Sequence, residues 1–181
     1  MRPETLTMHH IAGGFTPSRG HAETISIGPY QRRLVLDHKR QQRNELGMAG
    51  AMYTATTRDI TVRVQPQFLA EQSDPAADEY FWLYSIRIEN GGTETVQLLS
   101  RHWIITNANG HVEEVEGPGV VGEQPVLGPG ESFEYTSGCP LTTPSGIMAG
   151  TYEMAASEGP LFEIEIPAFS LDSPFQPRQM N

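Results

Sequence analysis

The stretch that decides the fold runs from Val96 to Pro125 and reads VQLLSRHWIITNANGHVEEVEGPGVVGEQP. Its first part is apolar and β-branched, and its second part is an acidic segment that returns toward the start. Between them stands Asn109-Gly110, a dipeptide typical of tight hairpin turns. The stretch therefore predicts a β-hairpin followed by a glycine-rich loop.

Two pairings fit this hairpin. A two-residue loop would set Ile104 opposite Val115, whereas a three-residue loop with a left-handed glycine would set Trp103 opposite Val115. We favour the second pairing, because it turns Trp103 inward and leaves the polar residues His102 and Glu116 on the outer face.

Alternation of polar and apolar residues recurs along the rest of the chain, with glycine and proline between the alternating segments. These segments are Arg58–Val64, Tyr80–Asn90, Thr95–Thr106, Val112–Val115, Glu131–Thr136, Gly150–Ala156 and Leu161–Ala168. No segment after Met52 has the period of a helix. About seven or eight short strands predict an all-β fold, an antiparallel β-sandwich of the immunoglobulin or fibronectin type III kind. A closed barrel is the alternative.

Residues 1–51 differ in character from the rest of the chain. They hold seven Lys or Arg against four Asp or Glu, and glycines and prolines interrupt any periodic pattern. Only Gln31–Leu46, QRRLVLDHKRQQRNEL, has the length and composition for a helix, and its leucines form no continuous stripe. We predict a flexible, largely disordered N-terminal extension at 1–51 and one folded domain at 52–181.

Charge and composition exclude several functions. The net charge is −10, and residues 52–181 hold five basic against eighteen acidic residues, so this domain should repel the phosphates of nucleic acids. No run approaches the roughly 20 apolar residues that cross a bilayer, so we expect no membrane insertion. There is no secretory signal, and Cys139 is the sole cysteine. Both observations predict a cytoplasmic protein.

The glycine-rich loop invites a nucleotide-binding hypothesis, because Gly117, Gly119 and Gly122 have the G-x-G-x-x-G spacing. The dinucleotide fingerprint also needs a helix directly after the third glycine, and Pro125 and nearby turn residues prevent one. Backbone N–H groups around glycines can still bind an anion such as pyrophosphate, with Arg101 as the nearest cation. The alternative is a purely structural loop, which the acidic flanks favour.

Two outward residues of the hairpin are candidate metal ligands. His102 and Glu116 face each other in the favoured pairing, and one imidazole with carboxylates would bind magnesium or cobalt weakly. His111 lies five or six residues along the strand from His102, too far to share an ion. A solvated acidic face is the alternative.

No catalytic constellation is visible in the sequence. There is no G-x-S-x-G motif, and Cys139 lies in no signature of a nucleophile, so we expect no enzymatic activity. The aromatic run at Tyr80–Tyr84 offers a different role. Trp82 and Tyr84 share one face of a strand and Phe81 lies on the other, so one set would be exposed unless both faces are covered. An exposed set would mark a protein interface.

Several motifs, taken in order, resemble those of the ApaG family over Met52 to Asn181. They are VQLLSRHW (Val96–Trp103), GPGVVGEQP (Gly117–Pro125), PGESFEYTSG (Pro129–Gly138), GIMAGTYEM (Gly146–Met154) and FEIEIPAFSL (Phe162–Leu171). The resemblance implies a fibronectin-type sandwich and an association with cobalt and magnesium resistance or efflux, and it supplies no catalytic residues.

The sequence and the resemblance together predict a non-enzymatic binding or adaptor module with a protein partner, linked to divalent-cation homeostasis. The alternative is a protein that binds a phosphate-containing small molecule or nucleotide at Gly117–Gly122, with a divalent metal.

Overall fold

The computed structural model describes residues 51–157 and 159–175, so the extension predicted at 1–51 lies almost wholly outside the described residues. The described part forms two antiparallel sheets, and two one-turn 3₁₀ helices, Ala70–Gln72 and Pro75–Ala77, join the second strand to the third. The strands within it are β1 (Tyr53–Thr57), β2 (Ile60–Phe68), β3 (Tyr80–Asn90), β4 (Val96–Asn107), β5 (Val112–Pro118), β6 (Val126–Leu127), β7 (Ser132–Leu141), β8 (Ser145–Ala156) and β9 (Phe162–Asp172).

The order of the strands confirms the predicted fold class. One sheet runs β1-β2-β3-β7 and the other β5-β4-β8-β9, with the short β6 paired to β4. The set β2-β3-β7 facing β5-β4-β8-β9 is the arrangement of immunoglobulin and fibronectin type III sandwiches, here with β1 added at one edge. The closed-barrel alternative is wrong, because the strands form two separate sheets.

The N-terminal strands differ most from the sequence prediction. Arg58 and Asp59 do not begin a strand but form a turn, both with left-handed backbone (φ 49° and 62°), and this turn joins a strand that the sequence did not reveal to β2. β2 then continues through Pro66 to Phe68. Its pairing with β1 extends only as far as Val64. Pro66 therefore lies on an unpaired edge, where its missing N–H costs no hydrogen bond between strands.

The core lies between the sheets and is rich in aromatic residues. Trp82, Tyr152 and Phe169 are its largest fully buried side chains. On the second face of the aromatic run, one side chain is buried and the other is half-buried. Leu83 is buried, and the ring of Phe81 packs over Gly138, where an added Cβ would lie 2.5 Å from the ring. The run therefore supplies no exposed aromatic patch, which removes that basis for a protein interface.

A β-bulge in β4 sets which residues face the core. Opposite β8, Leu98 pairs with Met154 and Ser100 with Glu153, so Leu99 is an extra residue. Because of it, both Leu98 and Trp103 point inward although they are an odd number of positions apart.

The two sides of the sandwich differ. On one side β1 lies against β9, where the Tyr53 hydroxyl is 2.8 Å from Ser170 Oγ and the Glu165 N–H donates to Thr57 Oγ1. On the other side, among residues 51–157 and 159–175, β5 pairs only with β4 and β7 only with β3. One side is therefore bridged, and the other presents two free strand edges.

Within the described part of the chain, no helix has the length and apolar character needed to span a bilayer.

Candidate functional site

The β4–β5 hairpin has the pairing that the sequence favoured. Trp103 lies opposite Val115, and the three-residue loop contains Gly110 with a left-handed φ of 79°. The Asn107 side chain closes the loop by accepting the N–H of His111. The hairpin thus has a fixed register, which determines the residues on each face.

The outer face of the hairpin brings His102 beside two glutamates. His102 is opposite Glu116 in register, and its Nε2 lies 3.8 Å from Glu116 Oε1. A second carboxylate is nearer, since Glu114 Oε2 lies 2.8 Å from the same nitrogen. Sequence reasoning counted Glu114 among the possible ligands but paired His102 with Glu116 alone, although a residue two positions from a direct cross-strand partner lies within diagonal reach.

This arrangement is an exposed polar cluster. Among residues 51–157 and 159–175, no group of three or more His, Cys, Asp or Glu side chains is placed to hold a metal ion. The imidazole of His102 already makes a hydrogen bond with Glu114. His111 is beside Asn107, five residues along β4 from His102, so the two histidines are apart as the sequence predicted.

An apolar surface adjoins this cluster on the same face. Val112 and Ile147 lie on either side of Thr106 in the sheet, and Ser170 follows Ile147 on β9. We call these four residues the outer row. Val112 is 49% exposed and Ile147 is 55% exposed, and the neighbouring Ile104 is 38% exposed. The sequence pattern could have indicated that Ile104 faces outward, because it lies between the inward Trp103 and Ile105. It could not have indicated that Ile147 of β8 and Ser170 of β9 share this face.

The glycine-rich loop closes on itself. Val120 and Glu123 exchange two backbone hydrogen bonds of 2.8 and 2.9 Å. The residues between them, Val121 and Gly122, are both left-handed (φ 46° and 84°), as in a type I′ turn. Since Val120 is buried in the core, this turn is anchored to the sandwich.

Arg101 and the first two glycines are also brought together. The Gly119 N–H donates to the carbonyl of the bulge residue Leu99, at 2.8 Å. The Arg101 guanidinium donates to the carbonyls of Gly119 (2.8 Å) and Pro118 (3.2 Å) and lies against Gly117. The cation and three of the loop's N–H groups are therefore engaged within the protein, and the arrangement holds the loop against β4.

Behind Arg101 lies a buried group of three tyrosines. The hydroxyls of Tyr135 and Tyr152 are 2.5 Å apart. Burial raises the pKa of Tyr84 to about 12. The pKa values of Tyr135 and Tyr152 are raised more than that of Tyr84, and burial is again the main cause. The positive charge of Arg101 opposes each of these shifts and is a minor contribution. These hydroxyls stay protonated at neutral pH and cannot act there as bases.

Cys139 is buried as a free thiol. Burial, with a smaller contribution from the charge of Glu113, raises its pKa to about 12. Because the thiolate is the nucleophilic form, this cysteine is inert at neutral pH.

The fold and the hairpin define a fibronectin-type β-sandwich protein with a glycine-rich loop between β5 and β6. Residues 70–156 match a family model described as the ApaG domain. The chain belongs to the ApaG family.

Two relatives that carry this family name match over the whole of their length. Protein ApaG of Paramagnetospirillum magneticum is 61% identical over 130 residues, which are 72% of this chain and 100% of that one. Protein ApaG of Brucella anthropi is 62% identical with the same coverage. The crystal structure of the putative ApaA protein from Bordetella pertussis is 47% identical, with a TM-score of 0.63, and the match covers 71% of this chain and 100% of that one.

Proposed function

We propose that this ApaG-family protein is a non-enzymatic binding module whose protein partner adds a basic, extended segment to the free edge of β5. The observation that carries the proposal is the free edge itself. β5 is seven residues long and has β4 as its one pairing partner among the described strands. An unpaired edge presents a row of backbone N–H and C=O groups, which an extended peptide can continue as a further strand.

The charge of the edge supports a basic partner. Glu113, Glu114 and Glu116 of β5 are all exposed, and the domain around them is strongly acidic. Carboxylates on an edge strand oppose pairing with a second copy of the same strand, because like charges would lie opposite each other. A strand rich in lysine or arginine would instead be attracted.

The buried thiol and tyrosine hydroxyls are protonated at neutral pH, which fits a role without catalysis. The Cys139 thiol and the Tyr84 hydroxyl both have pKa values raised to about 12 by burial, so neither supplies a nucleophile or base at neutral pH. A single buried thiol also suits the reducing cytosol, where we place the protein.

A phosphate or nucleotide site at Gly117–Gly122 has less support. The N–H groups of Gly119, Val120 and Glu123 donate to backbone carbonyls, and Arg101 donates to two more. An anion would have to displace these bonds in acidic surroundings.

The family resemblance implies a link with cobalt and magnesium. In this proposal the protein partner, and not this chain, provides that link. In isothermal titration with cobalt, wild type and His102→Ala are expected to show the same weak binding, because Glu114 and Glu116 are exposed and solvated. Glu163→Ala, on β9, is the matched control. A tight site that only His102→Ala removes would show instead that the protein holds the ion itself.

Edge binding can be tested with a labelled peptide of alternating lysine and valine. Reversing two charges, Glu114→Lys with Glu116→Lys, is expected to weaken binding about tenfold, or about 1.4 kcal/mol. Binding should also weaken as salt is added, since exposed charges are screened. Fluorescence anisotropy measures both effects.

The control reverses the same kind of charge elsewhere. Glu163→Lys with Glu165→Lys changes the net charge equally on β9, at the bridged side of the sandwich. Equal losses from the two double variants would show a general attraction to an acidic protein and would refute edge binding.

A further inference from the structure

We infer that the partner strand runs antiparallel to β5 and carries a basic-apolar-basic triplet, with its apolar residue opposite Val115 and its basic residues opposite Glu114 and Glu116. The inference rests on the proposed function and adds to it a sequence pattern and a direction for the partner. The pattern follows from the register of the hairpin, and the direction follows from the sheet that the hairpin belongs to.

Alternate residues of β5 present free backbone groups at the edge. In an antiparallel pair, every second residue exchanges both of its backbone hydrogen bonds with the residue directly opposite. At one end of the β4–β5 ladder the Asn107 N–H donates to the His111 carbonyl at 3.0 Å, and at the other the Gly119 N–H donates to the Leu99 carbonyl at 2.8 Å. The odd-numbered residues of β5 therefore bond to β4, and the N–H and C=O groups of the even-numbered residues point to the free edge.

The free edge is short. Its N–H donors belong to Val112, Glu114 and Glu116. It ends at Pro118, which has no N–H and whose carbonyl accepts the Arg101 guanidinium at 3.2 Å. A partner segment of about five residues covers this edge, so its affinity depends on few side chains.

The same alternation determines which partner side chains meet β5. Residues directly opposite each other in a sheet have side chains on the same face. Glu114 and Glu116 are exposed beside His102, whereas Val115 between them is buried and faces the core. Partner residues opposite the two glutamates therefore lie on the acidic outer face, where basic side chains are favoured. The residue between them lies on the inner side next to Val115, where an apolar side chain is favoured.

The direction follows from the sheet that the partner would extend. In the sheet β5-β4-β8-β9 every pairing is antiparallel. Antiparallel pairs are slightly more stable per residue than parallel ones, and sheets of a single kind are over-represented. A partner that continues this sheet runs antiparallel to β5, so its first basic residue lies opposite Glu116 and its second lies opposite Glu114.

Hydrogen exchange in the full chain tests which backbone groups bond to the partner. Without a partner, the amides of Glu114 and Glu116 should exchange fast, and those of Glu113 and Val115 slowly, because only the second pair is bonded to β4. Saturation with the lysine and valine peptide is expected to slow exchange at Glu114 and Glu116 about tenfold and to leave the other two amides unchanged. Equal slowing of all four amides would mean a general stabilisation of the fold and would overturn the assigned pairing.

Two labelled peptides of identical composition test the register and the direction. Each has alternating threonine and valine around a central triplet, which is Glu-Val-Lys in one and Lys-Val-Glu in the other, so their net charges are equal. The variant Glu116→Lys is expected to bind the Glu-Val-Lys peptide about fivefold more tightly than the other, because both peptide charges then lie opposite the other sign. With Glu114→Lys the order should reverse, and wild type should bind both peptides about equally. Fluorescence anisotropy at low salt, where exposed charges are least screened, measures the ratios.

The outcomes separate this inference from the proposed function. The opposite order of the two peptides in both variants would mean a parallel partner and would overturn the direction. Equal binding of both peptides by each variant would overturn the register. Edge binding would still stand in that case if the double reversal at Glu114 and Glu116 weakens the lysine and valine peptide. If that peptide does not bind to wild type at all, the proposed function and this inference fail together.

Discussion

Gly119→Ala is expected to lower the free energy of unfolding by about 3 kcal/mol, of which 1–2 kcal/mol comes from the left-handed backbone and the rest from overpacking. Gly119 has a φ of 57°, and a Cβ added there would lie 2.1 Å from the carbonyl oxygen of Glu123. That oxygen is backbone and accepts the N–H of Val120, so it cannot move without breaking the turn. Urea unfolding followed by circular dichroism measures the loss.

Gly122→Ala is the matched control within the same motif. Gly122 is also left-handed, with a φ of 84°, but an added Cβ would meet nothing within 4 Å. Its expected cost is the backbone strain alone, about 1 kcal/mol. Equal losses at Gly119 and Gly122 would contradict the structural explanation of the motif, and unchanged stability at both would favour a role in ligand binding.

Stability is expected to fall steeply as the pH rises from about 10 to 12. A tyrosine in the unfolded chain ionises near pH 10, whereas burial raises the pKa of Tyr84 to about 12 and that of Tyr135 further still. Below pH 10 the tyrosines are protonated in both states, and their contribution to stability is complete. Above it the unfolded chain releases protons first, so unfolding becomes more favourable.

Tyr84→Phe isolates one of these groups. A pKa raised by two units corresponds to about 2.7 kcal/mol, so the variant should lose about that much less stability than wild type between pH 10 and 12. Urea titrations at each pH give the free energy of unfolding and its slope against pH. Each protein is compared with its own free energy of unfolding at pH 8, which removes the cost of the substitution itself. An unchanged slope would show that Tyr84 ionises normally in the folded state.

The sequence was most informative where local chemistry determines local structure. Tyr80–Asn90 was predicted with its observed ends, because its aromatic and β-branched residues stand between a polar connection and Gly91. The register at Trp103 and Val115 was also predicted correctly, since Asn109-Gly110 and the inward alternation agree.

The errors have physical causes. β1, YTATT, has no alternation of large apolar residues, and its turn Arg58-Asp59 lacks a glycine or asparagine that would indicate a hairpin. Its contacts with β9 are distant in sequence and could not be predicted from it. β8 begins at Ser145, five residues before the predicted start, because Gly146 and Gly150 weaken the strand pattern. At both glycines an added Cβ would meet the backbone of β4, so these residues permit the close approach of the two strands.

The candidate site was predicted only in part. His102 and Glu116 were placed opposite each other from the hairpin spacing, and Arg101 was placed near the glycine loop. The sequence could not show that Arg101 donates to the loop's own carbonyls, or that Val112 and Ile147 share a face. Both facts depend on which strands are neighbours and on the bulge at Leu99.

The bulge has a consequence for how the family domain can vary in length. β4 carries two alternations that are out of phase, one ending at Leu98 and the other beginning near Arg101, and the single extra residue Leu99 joins them. Removing Leu99 would bring them into phase without exchanging the faces, because Leu98 and Trp103 would then be four positions apart and would both still point inward. The deletion would instead remove the carbonyl that accepts the N–H of Gly119 and the side-chain amide of Gln124. A replacement at this position keeps that backbone carbonyl, whereas a deletion would release the glycine-rich loop from β4.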